Sequence, residues 1–258
     1  MEFETAKMFT VDKLNVVVSE NREQVGEVSA KYAASLIKDL LNEKSEIRIV
    51  FAAAPSQNEF LHELSKDKTI EWSKIVAFHM DEYIGLPAES PELFSFYLNN
   101  HIFSKVNLKQ VHLINPASLS PETECQRYEA LLKEKPIDIV FMGIGENGHI
   151  AFNDPPVADF YDTKFVKIVE LEEKCKLQQV NDAGFKTIDE VPPTAFTLTV
   201  PALISAEYLV VVVPGIRKAE AVFKTLNDSV STACPATILR THSNAALYLD
   251  KDSSSLLK

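Results

Sequence analysis

The sequence predicts an α/β fold, a doubly wound and mostly parallel sheet with helices on both faces, and two observations predict it. Short apolar runs alternate along the chain with segments whose apolar residues recur every three or four positions, the pattern of strands joined by covering helices. The apolar run at 137–142, interrupted only by Asp138, reads as a buried strand and breaks directly into Gly143, Gly145 and Gly148. These are three of only 7 glycines in the chain, so the backbone there must turn tightly or approach a ligand closely. A strand that ends in such a loop is where an open α/β sheet places its chemistry.

Taken in order, residues 11–19 carry Leu14, Val16, Val17 and Val18 and read as a first strand. Residues 22–41 place Val25, Val28, Tyr32, Ala33, Leu36, Ile37, Leu40 and Leu41 on one helical face, with lysines and glutamates on the other. A strand at 47–54, a helix at 56–64 and a strand at 75–78 follow. A helix is expected at 91–103, with Pro91 suited to its first turn. After a short strand at 111–114 and a helix at 121–135 comes the strand before the glycine loop. Residues 164–171 look extended and 172–180 helical; 191–200 is a stretch bearing threonine and proline. A strand at 208–213, a helix at 218–226 and a late strand at 245–249 complete the chain.

A chain of 258 residues fits one large α/β domain or two small ones. No linker and no internal repeat divides it, and low complexity is confined to the Ser253-Ser254-Ser255 tail. Residues 1–258 are therefore expected to form a single domain, with the polar segment 154–193 as a lid or cap within it. A 46% hydrophobic content supplies a packed core. The net charge of −11 argues against a nucleic-acid surface or an anionic membrane patch. It leaves an anionic small substrate open, since a pocket needs only a few local donors. Cys125, Cys175 and Cys234 are scattered, as expected for reduced thiols in the cytoplasm. The acidic N-terminus has no apolar segment of signal-peptide type, and the longest apolar run is far short of the ~20 residues that span a membrane.

Three further strand ends carry unusual residues. Ser56 follows Ala52-Ala53-Ala54-Pro55 at a helix start, where it either cradles an anion or caps the helix. Asp81 and Glu82 directly follow a strand beside His79 and Tyr83, so that one of them is either a general base or an ordinary loop carboxylate. Arg217 and Lys218 begin a helix, the wrong end for the dipole; they either share an anion with that terminus or reach into water. No pair of histidines has metal-ligand spacing and there is no H-E-x-x-H, so no metal is implied. Gly143-Ile-Gly145-Glu-Asn-Gly148 has dinucleotide-loop spacing but runs into His149-Ile-Ala-Phe-Asn-Asp154 rather than a helical pattern, which rejects a nicotinamide cofactor.

In register, Met80-Asp-Glu-Tyr-Ile-Gly-Leu-Pro87, Gly143-Ile-Gly-Glu-Asn-Gly-His-Ile-Ala-Phe-Asn153 and Pro214-Gly-Ile-Arg-Lys-Ala219 resemble the glucosamine-6-phosphate deaminase/isomerase family, whose relatives include the 6-phosphogluconolactonases. The resemblance runs from about Val25 to Leu249 and implies a Rossmann-like fold of the sugar-phosphate isomerase type. It implies a reaction in which an amino sugar phosphate becomes a ketose phosphate and ammonia is released, with no metal or redox cofactor: an isomerase by proton transfer, a hydrolase in its loss of ammonia. Asp81 is the implied base for enolisation and His149 the implied ring-opening acid/base, with Asn147 and Asp154 in the positions that orient it. Ser56 and Lys218 fall at implied phosphate contacts, and Gly145 and Gly148 are expected against the substrate.

This chain has Asn147 where one branch of the family has aspartate, and Asp154 where glutamate is usual. Its phosphate loop has become Ala53-Ala54-Pro55-Ser56-Gln57. The phosphate-binding arginine expected after Leu171 is replaced by Gln178-Gln179-Val180-Asn181, and Arg217 is the cation offered in its stead. Glucosamine 6-phosphate is the first expected substrate and galactosamine 6-phosphate the second. A lactonase on the same fold and a non-catalytic sugar-phosphate sensor are the other readings. Relatives of this type occur as single chains and as assemblies, so a homo-oligomer stays open.

Overall fold

The computed structural model describes residues 7–182 and 184–257. The chain opens on a hairpin, β1 (Lys7–Val11) and β2 (Leu14–Ser19), which turns at Asp12 with a positive φ of 52°. The single first strand expected at 11–19 is thus its second half preceded by an antiparallel partner. Helix α1 (Arg22–Glu43) starts where Asn21 accepts the Gln24 N–H, while the Gln24 amide oxygen accepts the Glu20 N–H, a reciprocal cap. Strand β3 (Ile47–Phe51), helix α2 (Asn58–Lys66) and strand β4 (Ile75–His79) follow. Helix α2 lies close on α1 because Gly26 has no side chain: a Cβ there would stand 2.5 Å from the Glu59 Cβ.

After a single residue, Met80, the chain leaves β4 and enters β5 (Asp81–Tyr83). Helix α3 (Phe94–Leu98) begins three residues later than the expected helix start. Its cap is Glu82, whose carboxylate accepts the N–H groups of Phe94 and Ser95 from another strand. Strand β6 (Gln110–His112) and helix α4 (Pro121–Lys133) come next. Helix α4 ends where the buried Arg48 guanidinium takes the carbonyls of Leu131, Leu132 and Lys135, which satisfies the otherwise open C-terminal acceptors. Strand β7 (Ile139–Met142) leads to the glycine loop; β8 (Val166–Glu170), α5 (Glu173–Asp182), β9 (Thr194–Leu198), α6 (Val200–Ile204), β10 (Tyr208–Val213), α7 (Ala219–Asn227) and β11 (Ala245–Asp250) complete the chain.

Eight strands form the main sheet in the order β1-β2-β11-β10-β7-β3-β4-β6, every neighbouring pair parallel except β1 and β2. Side chains alternate between two cores. Ile49, Phe51, Ile139, Phe141, Val210 and Val212 face α1 and α2, while Val50, Val140, Met142, Val211 and Leu247 face α4, α6 and α7, the period of two that a strand imposes. A second sheet, β5-β9-β8, is antiparallel throughout, with Asp81 opposite Thr197. The fold expected from sequence is a doubly wound α/β sheet, and the main sheet has that form. The small sheet is the addition, built partly from the 154–193 segment.

The connection from β3 runs outward to β4, whereas β7 leads towards β10 on the other side. The sheet therefore reverses direction between β3 and β7. A crevice opens beyond the carboxyl ends of strands at such a reversal, and the exits of β3 and β7 are the 52–56 segment and the glycine loop.

Candidate active site

The crevice is a cavity of about 350 Å³ lined by both exits, by Asp81, by α5 and by Lys218. The glycine loop folds back on itself: the Gly145 N–H donates to the His149 carbonyl and the Gly148 N–H to that of Gly145. Gly148 has a φ of +86°, and a Cβ there would stand 2.5 Å from the Cys234 sulfur. It lies behind the histidine, outside the cavity lining, whereas Gly145 lines it.

His149 is buried, with its Nδ1 2.8 Å from Asn147 Oδ1 and 2.9 Å from Asp154 Oδ1. Asn147 Nδ2 donates to the same Asp154 oxygen at 2.7 Å. The carboxylate accepts only, so the amide nitrogen of Asn147 must face it and the amide oxygen must face the ring. Nδ1 then meets two acceptors and carries the hydrogen, which leaves Nε2 to exchange a proton with a ligand. Burial pushes the Asp154 carboxyl up, but the hydrogen bond and charge of His149, then Asn147 and the nearby Cys175 thiol, outweigh it and hold the carboxyl below its usual range. Asn147 also accepts the His149 backbone N–H at 3.1 Å. It cannot take a proton, and its role here is to lock the pair.

Asp81 is buried on the cavity wall at the head of β5. Burial first, and the Glu82 charge second, raise its carboxyl well above the ordinary range. Glu82 points away, its oxygens taking the backbone N–H groups of Tyr83, Phe94 and Ser95. The two adjacent carboxylates are thus separated by the pleat, one lining the cavity and one holding a helix. His79 is buried and structural, its Nε2 accepting the Ile114 N–H at 2.8 Å. Burial drives its pKa down to about 3 and keeps it neutral.

Ser56 lines the cavity, and its side chain caps neither the 3-10 turn Pro55–Gln57 nor α2; Oγ accepts from Gln57 Nε2 instead. The buried Gln57 amide also donates to the Val212 carbonyl at 3.1 Å, pinning the β3 exit to β10. Lys218 and Arg217 part company. Lys218 is buried on the cavity wall, its side chain has no hydrogen-bond or ion-pair partner among the described residues, and burial lowers its pKa. Arg217 is outside the lining and pairs with Asp182 at 3.0 Å and Glu146 at 3.4 Å.

The resemblance placed Gln178 and Gln179 at an expected phosphate contact; the structure makes α5 a wall of this cavity and adds Asp182 to it. Gln178, Gln179 and Asp182 line it, with Gln178 accepting the Glu146 N–H and Gln179 the Tyr83 hydroxyl. Only Asp182 carried no signal, because a polar residue on a charged helix reads as part of a solvated face. Cys175 Sγ, a carboxylate oxygen of Asp154 and His149 Nδ1 lie within 4.8 Å of one another. As metal ligands they fit poorly: Nδ1 is committed to two acceptors, and burial, then the Asp154 charge, keeps the thiol protonated.

An α/β sheet that brings a hydrogen-bonded histidine–carboxylate pair and a second buried acid to its switch point has the build of an enzyme. The chain belongs to the family of glucosamine-6-phosphate isomerases/6-phosphogluconolactonase, whose sequence pattern matches residues 20–248. It is 31% identical over 243 residues to a glucosamine-6-phosphate deaminase of Bacillus thuringiensis (strain Al Hakam), covering 94% of this chain and 89% of the relative. A solved monomeric glucosamine-6-phosphate deaminase superposes with a TM-score of 0.85 at 28% identity, over 93% of this chain and 99% of its own. A 6-phosphogluconolactonase from Thermotoga maritima shares the fold with a TM-score of 0.76 at 21% identity, over 93% of this chain and all of its own. No helix among the described residues is long and apolar enough to cross a membrane.

Proposed function

We propose that the protein is a deaminating aldose–ketose isomerase that converts glucosamine 6-phosphate to a ketose 6-phosphate and ammonia. The observation that carries this is one cavity bearing a buried acid, Asp81, a histidine with its Nδ1 locked, His149, and a buried cation whose side chain has no partner among the described residues, Lys218. A buried unpaired ammonium is costly until an anion joins it. Lys218 and Ser56 take the phosphate.

Proton transfer then follows from the two acids. His149 Nε2 takes the proton of the C1 hydroxyl and, as an imidazolium, passes it to the ring oxygen as the C1–O5 bond breaks and the pyranose opens to the aldehyde. The Asp81 carboxylate takes the proton from C2 and returns it to C1, moving the double bond through the enolamine to a C2 imine. Water adds to that imine and ammonia leaves, giving the ketose. A carboxylate whose carboxyl is raised above the ordinary range is a stronger base than an ordinary one. The Asp154 charge stabilises the imidazolium that His149 becomes when it holds the proton.

Ammonia release from glucosamine 6-phosphate and galactosamine 6-phosphate, run beside hydrolysis of 6-phosphogluconolactone, tests the reading. Ammonia from the glucosamine substrate, abolished in Asp81→Asn with the fold intact, is the expected result. Lactone hydrolysis without ammonia, or binding of the amino sugar phosphate without turnover, replaces it with the lactonase or the sensor.

A further inference from the structure

Asp154 is fully buried, and its two oxygens are treated unequally. Oδ1 receives both Asn147 Nδ2 and His149 Nδ1, while Oδ2 receives no nitrogen or oxygen donor among the described residues. A buried carboxylate oxygen is rarely left without a donor. The remaining donor beside it is Cys175, 1% exposed on α5, whose Sγ lies within 4.8 Å of a carboxylate oxygen of Asp154 and of His149 Nδ1. Cys175 is also one turn from Gln179, which binds the Tyr83 hydroxyl at 2.8 Å, and Tyr83 shares β5 with Asp81. One face of α5 therefore reaches from the strand of the base to the carboxylate behind the histidine.

We propose that Cys175 is a positioning residue for the His149–Asp154 pair, its S–H directed at Asp154 Oδ2 so that the carboxylate keeps Oδ1 against the imidazole. The thiol is a weak donor, suited to fixing the rotation of the carboxylate without competing strongly for its charge. A carboxylate free to rotate would share the imidazole between two oxygens and loosen the ring above the substrate.

The kinetic part of the test rests on the deaminase reading, and the spectroscopic part does not. Cys175→Val removes the donor at similar volume, and Cys175→Ser keeps one. In histidine-labelled protein without substrate, the Nδ1 proton resonance of His149 should move in Cys175→Val and stay near its wild-type position in Cys175→Ser. With substrate, kcat should fall about tenfold in the valine variant, KM should change less than about twofold, and serine should restore the rate. An unmoved resonance in the valine variant, or equal loss in both variants, overturns the proposal. If the valine variant does not fold, Cys175→Ala takes its place with the same outcomes. A wild-type protein that releases no ammonia refutes the deaminase reading, while the resonances still decide the role of Cys175.

Discussion

A methyl group added to Gly145 would stand 2.1 Å from Cε1 and 2.2 Å from Nε2 of His149. The imidazole lies directly on the bare Cα, so the glycine is there to make room for the ring and not for an unusual φ. Gly145→Ala must push the ring off its position against Asn147 and Asp154. Turnover is expected to fall about 100-fold, because a displacement of about 1 Å costs that much in alignment. The check is kcat beside a thermal melt, and a variant with wild-type kcat would contradict the packing.

Lys218→Met should act in opposite directions on binding and on stability. It removes a buried cation whose pKa burial lowers, so the ligand-free variant should be more stable by about 1 kcal/mol or more. KM for the sugar phosphate should rise at least about tenfold if the charge meets the phosphate. Inorganic phosphate should raise the melting temperature of the wild type and leave that of the variant unmoved.

His79 predicts acid sensitivity. Its folded pKa of about 3 lies below the value of about 6.5 expected in the unfolded chain. The neutral, buried form therefore contributes stability above pH 6.5 that is lost as the pH falls, at about 1.4 kcal/mol per unit. His79→Gln keeps an acceptor for the Ile114 N–H and removes the titration. Denaturation midpoints measured from pH 7 to 4.5 should fall less steeply for the variant than for the wild type.

Glu82 predicts the reverse slope. Burial raises its carboxyl to about 7, against backbone N–H groups of Ser95, Phe94 and Tyr83 that pull it down. The native state thus holds its proton more tightly than the unfolded chain, and this group loses stability as the pH rises from about 4.5 through 7. Glu82→Gln should abolish that loss while placing an amide NH2 against backbone N–H groups. The misplaced donor should cost about 1–3 kcal/mol, read as a lower midpoint at pH 5, where the wild-type carboxyl is mostly protonated.

The large sheet was legible because burial on both faces leaves apolar runs, and the 3,4 spacing of Val25 to Leu41 marks a helix without help from elsewhere. Asp81, His149 and Lys218 were legible because they stand at strand exits, and the fold brings all three to one cavity. The small sheet was not. Strand β5 has three residues, two of them carboxylates, and the N–H groups of Phe94 and Ser95, distant in sequence, join that of Tyr83 to make Glu82 tolerable inside. The true start of α3 was hidden for the same reason, since its cap lies twelve residues upstream of Phe94. Ser56 carried a capping signal that its side chain does not use, and Cys175 carried no signal at all until α5 was set behind Asp154.

The passage from β4 to β5 through Met80 limits how such a molecule could be rebuilt. A designer who wished to exchange the antiparallel sheet for that of a relative, and so change what the cavity admits, would have to transplant β8, β9 and β5 together. Asp81 belongs to β5, so it would travel with the graft while His149 stayed with the host. Recombination at this seam therefore parts Asp81 from His149 across one cavity, and on the mechanism proposed above a hybrid that takes a new antiparallel sheet also takes a new position for the base.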